Sequence, residues 1–239
     1  MNTSLFLTLG LSLSFLSPCF GAFHSQCGQD RYVYENFFYG KRKGVFVDIG
    51  AHNGIRLSNT YFFEKEQGWS GICVEPLPEI FAELQENRKC ILVKGCISDK
   101  PGIAQFFRIN GGKENLEMLS GLLDKYDPRH KQRIQKSIRG KEVDCEIINV
   151  PCYLLGDLLD EHEITHINFL SLDTEGGELD ILQTIDFDLY QIDVIAVENN
   201  YNDPNFLSFL NSKGFTLATT LEMDMLFVNK KFTSHSKPR

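Results

Sequence analysis

The fold of this chain is decided by one stretch, Val45-Phe46-Val47-Asp48-Ile49-Gly50-Ala51-His52-Asn53-Gly54. It begins as an apolar, largely β-branched run of strand length and then reaches Asp48 and a turn with two glycines. Such a run predicts a buried parallel strand that feeds a helix, which we expect over residues 56–66. Backbone N–H groups at the start of such a helix lie beside a crevice where adenosine-containing cofactors commonly bind. The stretch is therefore a candidate cofactor site.

The glycine spacing narrows the class of cofactor. A dinucleotide fingerprint is G-x-G-x-x-G, but His52 stands at the second glycine position and Ile55 at the third. The phosphate loop G-x-x-x-x-G-K-[ST] is also excluded, because Gly50 and Gly54 lie too close together and no Lys-Ser/Thr pair follows. The remaining pattern, D-x-G-x-x-x-G, is similar to the first motif of class I S-adenosylmethionine-dependent methyltransferases. An ordinary strand-to-helix turn is the alternative.

A second strand supplies another carboxylate. Residues 71–76 are a short apolar run that ends in Glu75 and Pro76. An acid at about this spacing accepts hydrogen bonds from the ribose hydroxyls of a nucleoside cofactor. Alternatively, Glu75 caps the following helix, which we expect over 79–87. With Asp48 and the glycines upstream, the ribose role is favoured.

Length, composition and charge define the broad class. The chain has 239 residues, 42% of them hydrophobic, and a formal net charge of −8. This is enough for one α/β domain, expected over residues 23–229. The acidic balance argues against a dedicated nucleic-acid binder. Residues 230–239 are polar and basic, and we expect a disordered tail.

Residues 1–22 resemble a signal peptide or an N-terminal hydrophobic anchor. The run over 5–16 is apolar, and small residues follow near a candidate cleavage site. No Lys or Arg precedes the run, and it is shorter than the ~20 residues of a membrane span. We expect a secreted or membrane-associated protein, with a cytoplasmic location as the alternative.

The cysteines leave the disulfide pattern open. Cys19 would be removed with a signal peptide, and the other six cysteines allow about 15 pairings. Alternatively, Cys73, Cys90 and Cys96 are thiols of the core, because they lie on or beside predicted strands. No Cys or His spacing is that of a metal site, so we expect no structural zinc.

The middle of the chain, over 111–140, departs from the α/β rhythm and looks inserted. Asp127-Pro128 and Gly140 predict the start and end of a helix. The segment 125–141 is strongly basic, so a membrane contact would use this segment or the N-terminal one. It is either a lid that faces an anionic ligand, such as a charged glycan or head groups, or a solvated surface helix. The solvated helix is favoured, since charge runs usually face solvent.

Other loops reach the same edge of the sheet. A third strand is predicted over 91–93, and Ser98 in its exit loop either contacts adenine or begins a turn. Another buried strand, over 167–172, is followed by Asp173 and Glu175 and by a helix over 178–184. These acids are expected beside Asp48 and Glu75. Four carboxylates repel one another unless a ligand compensates, and a sulfonium cofactor is such a cation.

The chain resembles the FkbM family of S-adenosylmethionine-dependent methyltransferases over roughly residues 25–228. The motifs that carry the resemblance are S-Q-x-G-x-D at 25–30, F-x-D-I-G-A-x-x-G at 46–54, E-P at 75–76, V-P at 150–151 with D-L-L at 157–159, and L-D-x-E-G-x-E at 172–178. The resemblance implies a Rossmann-like α/β fold of class I methyltransferases, with a mostly parallel, doubly wound sheet and an antiparallel C-terminal strand. It also implies S-adenosyl-L-methionine as the cofactor.

The resemblance further implies methyl transfer to a hydroxyl of a sugar, a glycan or a small metabolite. A base is useful because a neutral hydroxyl is a poor nucleophile, and Asp173, Glu175 or, less favoured, His52 would accept the proton. A divalent metal on Asp173, Glu175 and Glu178 is compatible with the spacing but not required by it. The candidate cofactor-binding residues are Gln26, Asp30, Asp48, Gly50, Ala51, Asn53, Gly54, Glu75 and Ser98.

Two other functions stay open at this point. S-adenosylmethionine is made in the cytosol, so a secreted chain could instead be a noncatalytic binding or trafficking module of the secretory pathway. Loss of Asp48 or Glu75 would have favoured that module, and both are present. A nicotinamide enzyme is disfavoured by His52. The active methyltransferase is therefore the preferred hypothesis.

Overall fold

A computed structural model describes residues 22–111 and 115–238. The predicted signal peptide or anchor lies outside the described residues, apart from Ala22. Within the two described ranges, no helix is long and apolar enough to cross a membrane.

Strands and helices alternate along the described chain. The strands are β1 Val45–Ile49, β2 Ser70–Glu75, β3 Ile91–Lys94, β4 Cys96–Ile97, β5 Gly102–Asn110, β6 Gly121–Leu122, β7 Asp144–Tyr153, β8 His166–Leu172, β9 Gln191–Glu198, β10 Phe215–Leu221 and β11 Asp224–Asn229. The α-helices are α1 Gln29–Phe37, α2 Tyr61–Gln67, α3 Pro78–Asn87, α4 Pro128–Ile138, α5 Leu155–Glu161, α6 Glu178–Thr184 and α7 Asn205–Ser212, and a 3₁₀ helix spans Leu116–Leu119.

The main sheet has seven strands in the order β10-β11-β9-β8-β1-β2-β3. Pairs from β3 to β9 are parallel, whereas β11 runs antiparallel to both of its neighbours. The chain leaves β1 towards β2 on one side and returns to β8 on the other. Ligands of open α/β sheets bind at such a switch point, at the carboxyl ends of the strands. The predicted class I methyltransferase fold is confirmed.

Both faces of the main sheet are covered, which is why its central strands are apolar almost throughout. On one face, α5 and α6 contribute Leu155, Leu159 and Leu182 to the core. The other face is aromatic, and Phe62 and Phe63 of α2 are fully buried there. The two layers fix the sheet, so its carboxyl edge is a rigid base for a site.

The first crossover helix begins later than predicted. Helix α2 starts at Tyr61, not near residue 56, because residues 51–60 form an irregular loop. His52, Gly54 and Leu57 in this loop have positive φ values of 49°, 79° and 55°. An α-helix cannot pass through left-handed positions. At the carboxyl end of β1 there is therefore a loop, rather than the helix start that the sequence predicted.

The inserted middle belongs to a second sheet that the sequence did not predict. Strands β5 and β7 pair antiparallel from Gly102–Cys152 to Asn110–Asp144, and β4 and β6 complete a sheet in the order β4-β7-β5-β6. The 3₁₀ helix, β6 and α4 lie between the two long strands. Asp127 caps α4 as predicted, because its Oδ1 accepts a hydrogen bond of 2.7 Å from Arg129 N.

The C-terminal residues are seated on α1, which corrects the expected disorder of the tail over 230–238. His235 N donates to Phe37 O at 2.9 Å, and Lys237 N donates to Glu35 O at 2.7 Å. The Phe232 ring packs 5.2 Å from that of Phe38. The polar composition of the segment predicted disorder, but backbone pairing and one aromatic contact hold it.

Candidate active site

A cavity of about 400 Å³ lies at the carboxyl ends of β1, β2 and β8. Small-molecule sites commonly have volumes of ~300–1,000 Å³. The sheet edge forms one side, and residues 115–120 of the insertion, with Arg133 of α4, form another. Among the residues that line it are the predicted site residues Gln26, Asp48, Gly50, Ala51, His52, Glu75, Asp173 and Glu175.

The turn after β1 needs glycine at position 50. Gly50 has a φ of 85°, and a Cβ there would lie 1.7 Å from the carbonyl oxygen of Asp173. The turns after β1 and β8 lie this close because Asp173 N donates a hydrogen bond of 3.0 Å to Ile49 O. Gly50 N and Ala51 N both donate to Val74 O. The turn is thus bonded to both neighbouring strands and presents bare backbone to the cavity.

Asp48 organises this turn from a buried position. Its Oδ2 accepts a hydrogen bond of 2.5 Å from Thr60 Oγ1. Burial raises the pKa of Asp48, while the Arg88 charge and the hydroxyls of Thr60, Ser171 and Ser58 act in the opposite direction. Asp48 lines the cavity, as predicted, but its carboxylate also holds the loop.

Arg88 is a site residue that the sequence analysis missed. Its side chain is fully buried, and Nε lies 2.5 Å from Oε2 of Glu64. The guanidinium donates to the Gly54 carbonyl at 3.1 Å and to Thr60 Oγ1 at 3.0 Å. A hydrogen-bonded chain therefore runs from Arg88 through Thr60 to Asp48 and fixes the loop. A lone Arg at the end of a predicted helix carried no signal of this role.

Glu75 joins two turns at the cavity. Its Oε2 accepts from His52 N at 3.1 Å and its Oε1 accepts from Leu77 N at 2.8 Å. Burial raises the pKa of Glu75 to about 7, although both amides favour the charged form. Leu77 immediately precedes α3, so the capping role and the cavity position coexist. A carboxylate has about four acceptor sites, so two remain for ligand hydroxyls.

The turn after β8 carries more acids. Burial and the carboxylates of Glu175, Asp224, Glu178 and Asp48 raise the pKa of Asp173 well above its usual range. Glu198, at the end of β9, also lines the cavity, and burial with its acidic neighbours raises its pKa likewise. The predicted concentration of carboxylates at this edge is therefore present, and Glu198 adds to it.

Glu175 is held in an unusual conformation against α4. It has a φ of 57°, which is uncommon for a residue other than glycine. Its Oε2 lies 3.2 Å from an Arg133 nitrogen, 3.3 Å from His130 Nδ1 and 3.3 Å from Asn200 Nδ2. Burial raises the pKa of Glu175 to about 7, with Glu178 adding to the rise and Arg133 opposing it. The group is therefore close to half-protonated at neutral pH.

One face of helix α4 covers the turn after β8 that carries Glu175. His130 is fully buried, stacks on Tyr126 at 4.6 Å and places Nε2 3.1 Å from Leu119 O. Arg133 on the same helix lines the cavity. The charged side chains of α4 are mostly exposed, as the favoured expectation of a solvated helix has it, whereas His130 and Ile134 are buried on the opposite face. The insertion brings the His130 and Arg133 side chains to Glu175, and only long-range packing does so.

Glu178 stabilises the turn after β8 by accepting hydrogen bonds from it. Its Oε1 accepts from Thr174 N at 3.0 Å, from Thr174 Oγ1 at 2.9 Å and from Gly176 N at 2.9 Å. It thereby fixes the loop that presents Glu175. Within residues 22–111 and 115–238, no group of three or more His, Cys, Asp or Glu side chains could hold a metal ion.

His52 offers an imidazole to the cavity. Among the described residues, neither ring nitrogen has a hydrogen-bond partner, although both are buried. Nε2 lies 3.5 Å from Oε1 of Glu117. Burial lowers the pKa of His52 more than Glu117 raises it. His52 is therefore a neutral group with hydrogen-bonding capacity for a ligand.

Two predicted cofactor residues of the first loop do not line the cavity. Asn53 Oδ1 accepts from Ile55 N and Arg56 N at 3.2 and 3.0 Å, so it shapes the loop from within. Gly54 packs against α3, where a Cβ would lie 2.5 Å from Leu84. Both are needed for the shape of the loop rather than for its cavity face.

Asp30 and Ser98 also lie outside the cavity lining. The Asp30 carboxylate accepts from His24 N at 2.6 Å and from Ser25 Oγ at 2.5 Å, and so it orders the lead-in loop that carries Gln26 to the cavity. Ser98 is buried, and its hydroxyl donates to Asp99 at 3.1 Å. The turn alternative for Ser98 is the one that the structure supports.

A second cavity adjoins the first, with a volume of about 490 Å³. The two share Glu175, Gly176 and Glu198. The second extends to polar side chains of the insertion and of the loop after β9, among them Lys125, Asn199, Asn200 and Tyr201. Glu175 therefore lies between the two cavities.

The fold and the site together define a class I methyltransferase. The chain belongs to the FkbM methyltransferase family, because the model of the methyltransferase FkbM domain matches residues 48–232. The predicted family is therefore confirmed, and S-adenosylmethionine is the cofactor that this membership supports. No curated protein matches the chain.

Several solved structures are similar in fold. An FkbM methyltransferase from Methylobacillus flagellatus KT is 14% identical, with a TM-score of 0.43 over 79% of this chain and 44% of that one. The METTL16 methyltransferase domain is 12% identical, with a TM-score of 0.43 over 80% and 61%. TrmK of M. capricolum, in complex with S-adenosylhomocysteine, is 9% identical, with a TM-score of 0.42 over 89% and 72%. This chain spans less than two thirds of the first two.

Proposed function

We propose that this methyltransferase transfers the methyl group to a hydroxyl oxygen of a sugar, a glycan or a small metabolite, and that Glu175 accepts the hydroxyl proton. The observation that carries the proposal is Glu175 itself. It stands between the two cavities, strained in backbone and held by three partners on one carboxylate oxygen. Backbone strain of this kind clusters at functional sites.

The residues of the first cavity fit the cofactor. Glu75 has acceptor capacity for ribose hydroxyls, and Gly50 leaves room that a side chain would fill. Asn59 Oδ1 and the His52 nitrogens are buried polar atoms without a partner among the described residues. The acidic edge favours a cation. When bound, S-adenosylmethionine supplies an electrophilic methyl group on a sulfonium.

Glu175 has the properties of a general base. Arg133, His130 and Asn200 all contact Oε2, whereas Oε1 has no such contact among the described residues and can accept a proton. With a pKa of about 7, the group is sufficiently ionised at neutral pH and still basic enough to take a proton from a hydroxyl. Asp173 is a weaker candidate, because it lines the first cavity but not the second.

The second cavity supports a hydroxylated acceptor. Its lining includes carboxylate, amide, ammonium and phenol groups, from Glu198, Asn199, Asn200, Lys125 and Tyr201. Such groups donate and accept hydrogen bonds in turn, as a polyhydroxylated ligand requires. This chemistry favours a sugar or a glycan.

We also propose secretion or membrane association through residues 1–22, on the basis of the apolar run alone. A membrane contact through the basic segment has less support. Lys125 lies 2.6 Å from both Asp99 and Asp180, and Arg129 stacks over Tyr201 at 4.5 Å. Several of its cations are therefore engaged within the protein.

The test is methyl transfer from labelled S-adenosylmethionine to a panel of sugars and glycans. Glu175→Gln should lower the turnover by ~10²–10⁴-fold and leave the affinity for S-adenosylhomocysteine unchanged. Glu161→Gln, the same change at an exposed residue of α5, is the matched control. Equal turnover of both variants would refute the base. A folded protein that binds the product but methylates no acceptor would favour the noncatalytic module.

A further inference from the structure

Two pairs of cysteine thiols lie in contact in the described chain. Cys90 Sγ lies 3.5 Å from Cys73 Sγ, between the residue before β3 and the middle of β2. Cys96 and Cys152 are directly opposed in the parallel register of β4 and β7. Each pair unites residues that are distant in sequence.

The geometry of both pairs suits a disulfide. A disulfide needs Cα atoms within ~4.4–6.8 Å. Neighbouring strands are ~4.8 Å apart, so opposed residues such as Cys96 and Cys152 fall within this range. For Cys73 and Cys90, the sulfurs must approach from 3.5 Å to a bonded ~2.05 Å, which side-chain rotation can largely provide.

The two other described cysteines have different surroundings. Cys145 is exposed near the start of β7. Cys27 lies in the lead-in loop, where burial and the carboxylates of Glu222 and Asp224 raise the pKa of its thiol to about 11. Nothing in the described contacts pairs these two with each other.

We propose that Cys73–Cys90 and Cys96–Cys152 are the disulfide-forming pairs of this chain, and that Cys27 and Cys145 stay reduced. The oxidant is a disulfide, either oxidised glutathione or a thiol–disulfide oxidoreductase. The half-buried Cys90 thiolate attacks it and releases one thiol, and the Cys73 thiolate then displaces the second. Two protons and two electrons leave each pair, and the oxidant becomes two thiols.

The links would brace the site rather than block it. Cys73 is the register partner of Asp48 across β1 and β2, and Cys96 lines the cavity. Both bonds would join strands that are already adjacent, so the cavity keeps its shape. Oxidation should therefore raise the unfolding temperature without loss of affinity for S-adenosylhomocysteine.

The test is peptide mapping of the full chain after incubation with oxidised glutathione. Remaining thiols are alkylated in denaturant, and the chain is then cleaved with trypsin and with a protease specific for Glu. Cleavage after Arg88, Lys89 and Lys94 separates Cys73, Cys90 and Cys96 from one another, and cleavage after Glu146 separates Cys145 from Cys152. Two linked peptide pairs, with alkylated Cys27 and Cys145, are the expected result. Any other pairing among these six cysteines, or the absence of a linked peptide pair, overturns the proposal.

Variants separate the two links. Cys90→Ser should remove the 73–90 link, keep the 96–152 link and lower the rise in unfolding temperature on oxidation. The rise should be several degrees, on the order of 5–10 °C for the 73–90 link. Cys145→Ser is the matched control and should keep both links and the full rise. Loss of either link in the control would overturn the assignment.

Discussion

Replacing Arg88 with methionine should destabilise the protein and weaken cofactor binding together. Methionine keeps an unbranched apolar chain at the site but removes the guanidinium. The change deletes the contact with Glu64 and the hydrogen bonds to the Gly54 carbonyl and to Thr60. The loop that carries Gly50 and His52 then keeps only its hydrogen bonds to Asn87 and Glu83 of α3.

The expected loss of stability is large, because the carboxylates that interact with Arg88 are buried. The Glu64 side chain is only 8% exposed, and Asp48 is 4% exposed, so water cannot replace the guanidinium. Removing one partner of a buried ion pair costs about 3–5 kcal/mol. At neutral pH we therefore expect the free energy of unfolding to fall by about this amount.

The loss should depend on pH. Burial alone would raise the pKa of Glu64, but the Arg88 charge and hydrogen bonds from Arg88 and the Lys89 amide lower it overall. Without Arg88, burial of the Glu64 and Asp48 carboxylates destabilises the protein only while they are ionised. Protonation in acid removes that destabilisation, so the variant and the parent should differ less as the pH falls.

Urea unfolding from pH 4 to pH 8 and titration with S-adenosylhomocysteine measure both effects. Lys89→Met is the matched control, since it removes one charge from the exposed neighbouring position. A loss below ~1 kcal/mol for Arg88→Met, with unchanged product affinity, would refute the role of Arg88.

Other predictions concern the turn and the acids. Gly50→Ala should destabilise the protein more than Gly68→Ala in thermal unfolding. Both glycines have a positive φ, but only at Gly50 would a Cβ meet another backbone segment, 1.7 Å from the carbonyl oxygen of Asp173. Burial raises the pKa of Glu75 and Glu175 to about 7, so the folded state binds more protons than the unfolded state. Their contribution to stability should be full below about pH 4.5 and lost as the pH rises through 7. Glu175→Gln should flatten this decline in urea unfolding, and an unchanged slope would contradict the assigned pKa.

The main sheet could be predicted because its signals are local. Apolar runs of strand length ending in acids define β1, β2, β8 and β9, and helix α6 begins at the predicted Glu178. Parallel strands bring their carboxyl ends to one edge. The shared position of Asp48, Glu75 and Asp173 at the cavity follows from that rule.

The remaining parts depend on contacts between distant residues. The loop before α2 is set by Arg88, which lies 28 residues beyond Thr60. The second sheet pairs β5 with β7 across the insertion, and His130 contacts Glu175 and Tyr201. The charge run of α4 does not show which of its residues are buried, so the sequence did not predict the contact between α4 and Glu175.

The most direct test of a working cofactor site at Glu75 is calorimetric titration of the purified chain with S-adenosylmethionine and S-adenosylhomocysteine, with NAD as the negative control. We expect micromolar binding of both adenosyl ligands, and no binding of NAD. Glu75→Gln should lose this binding, whereas Glu86→Gln, at an exposed position of α3, should keep it. A folded protein that binds neither adenosyl ligand, or a Glu75→Gln variant that binds like the parent, would contradict the account.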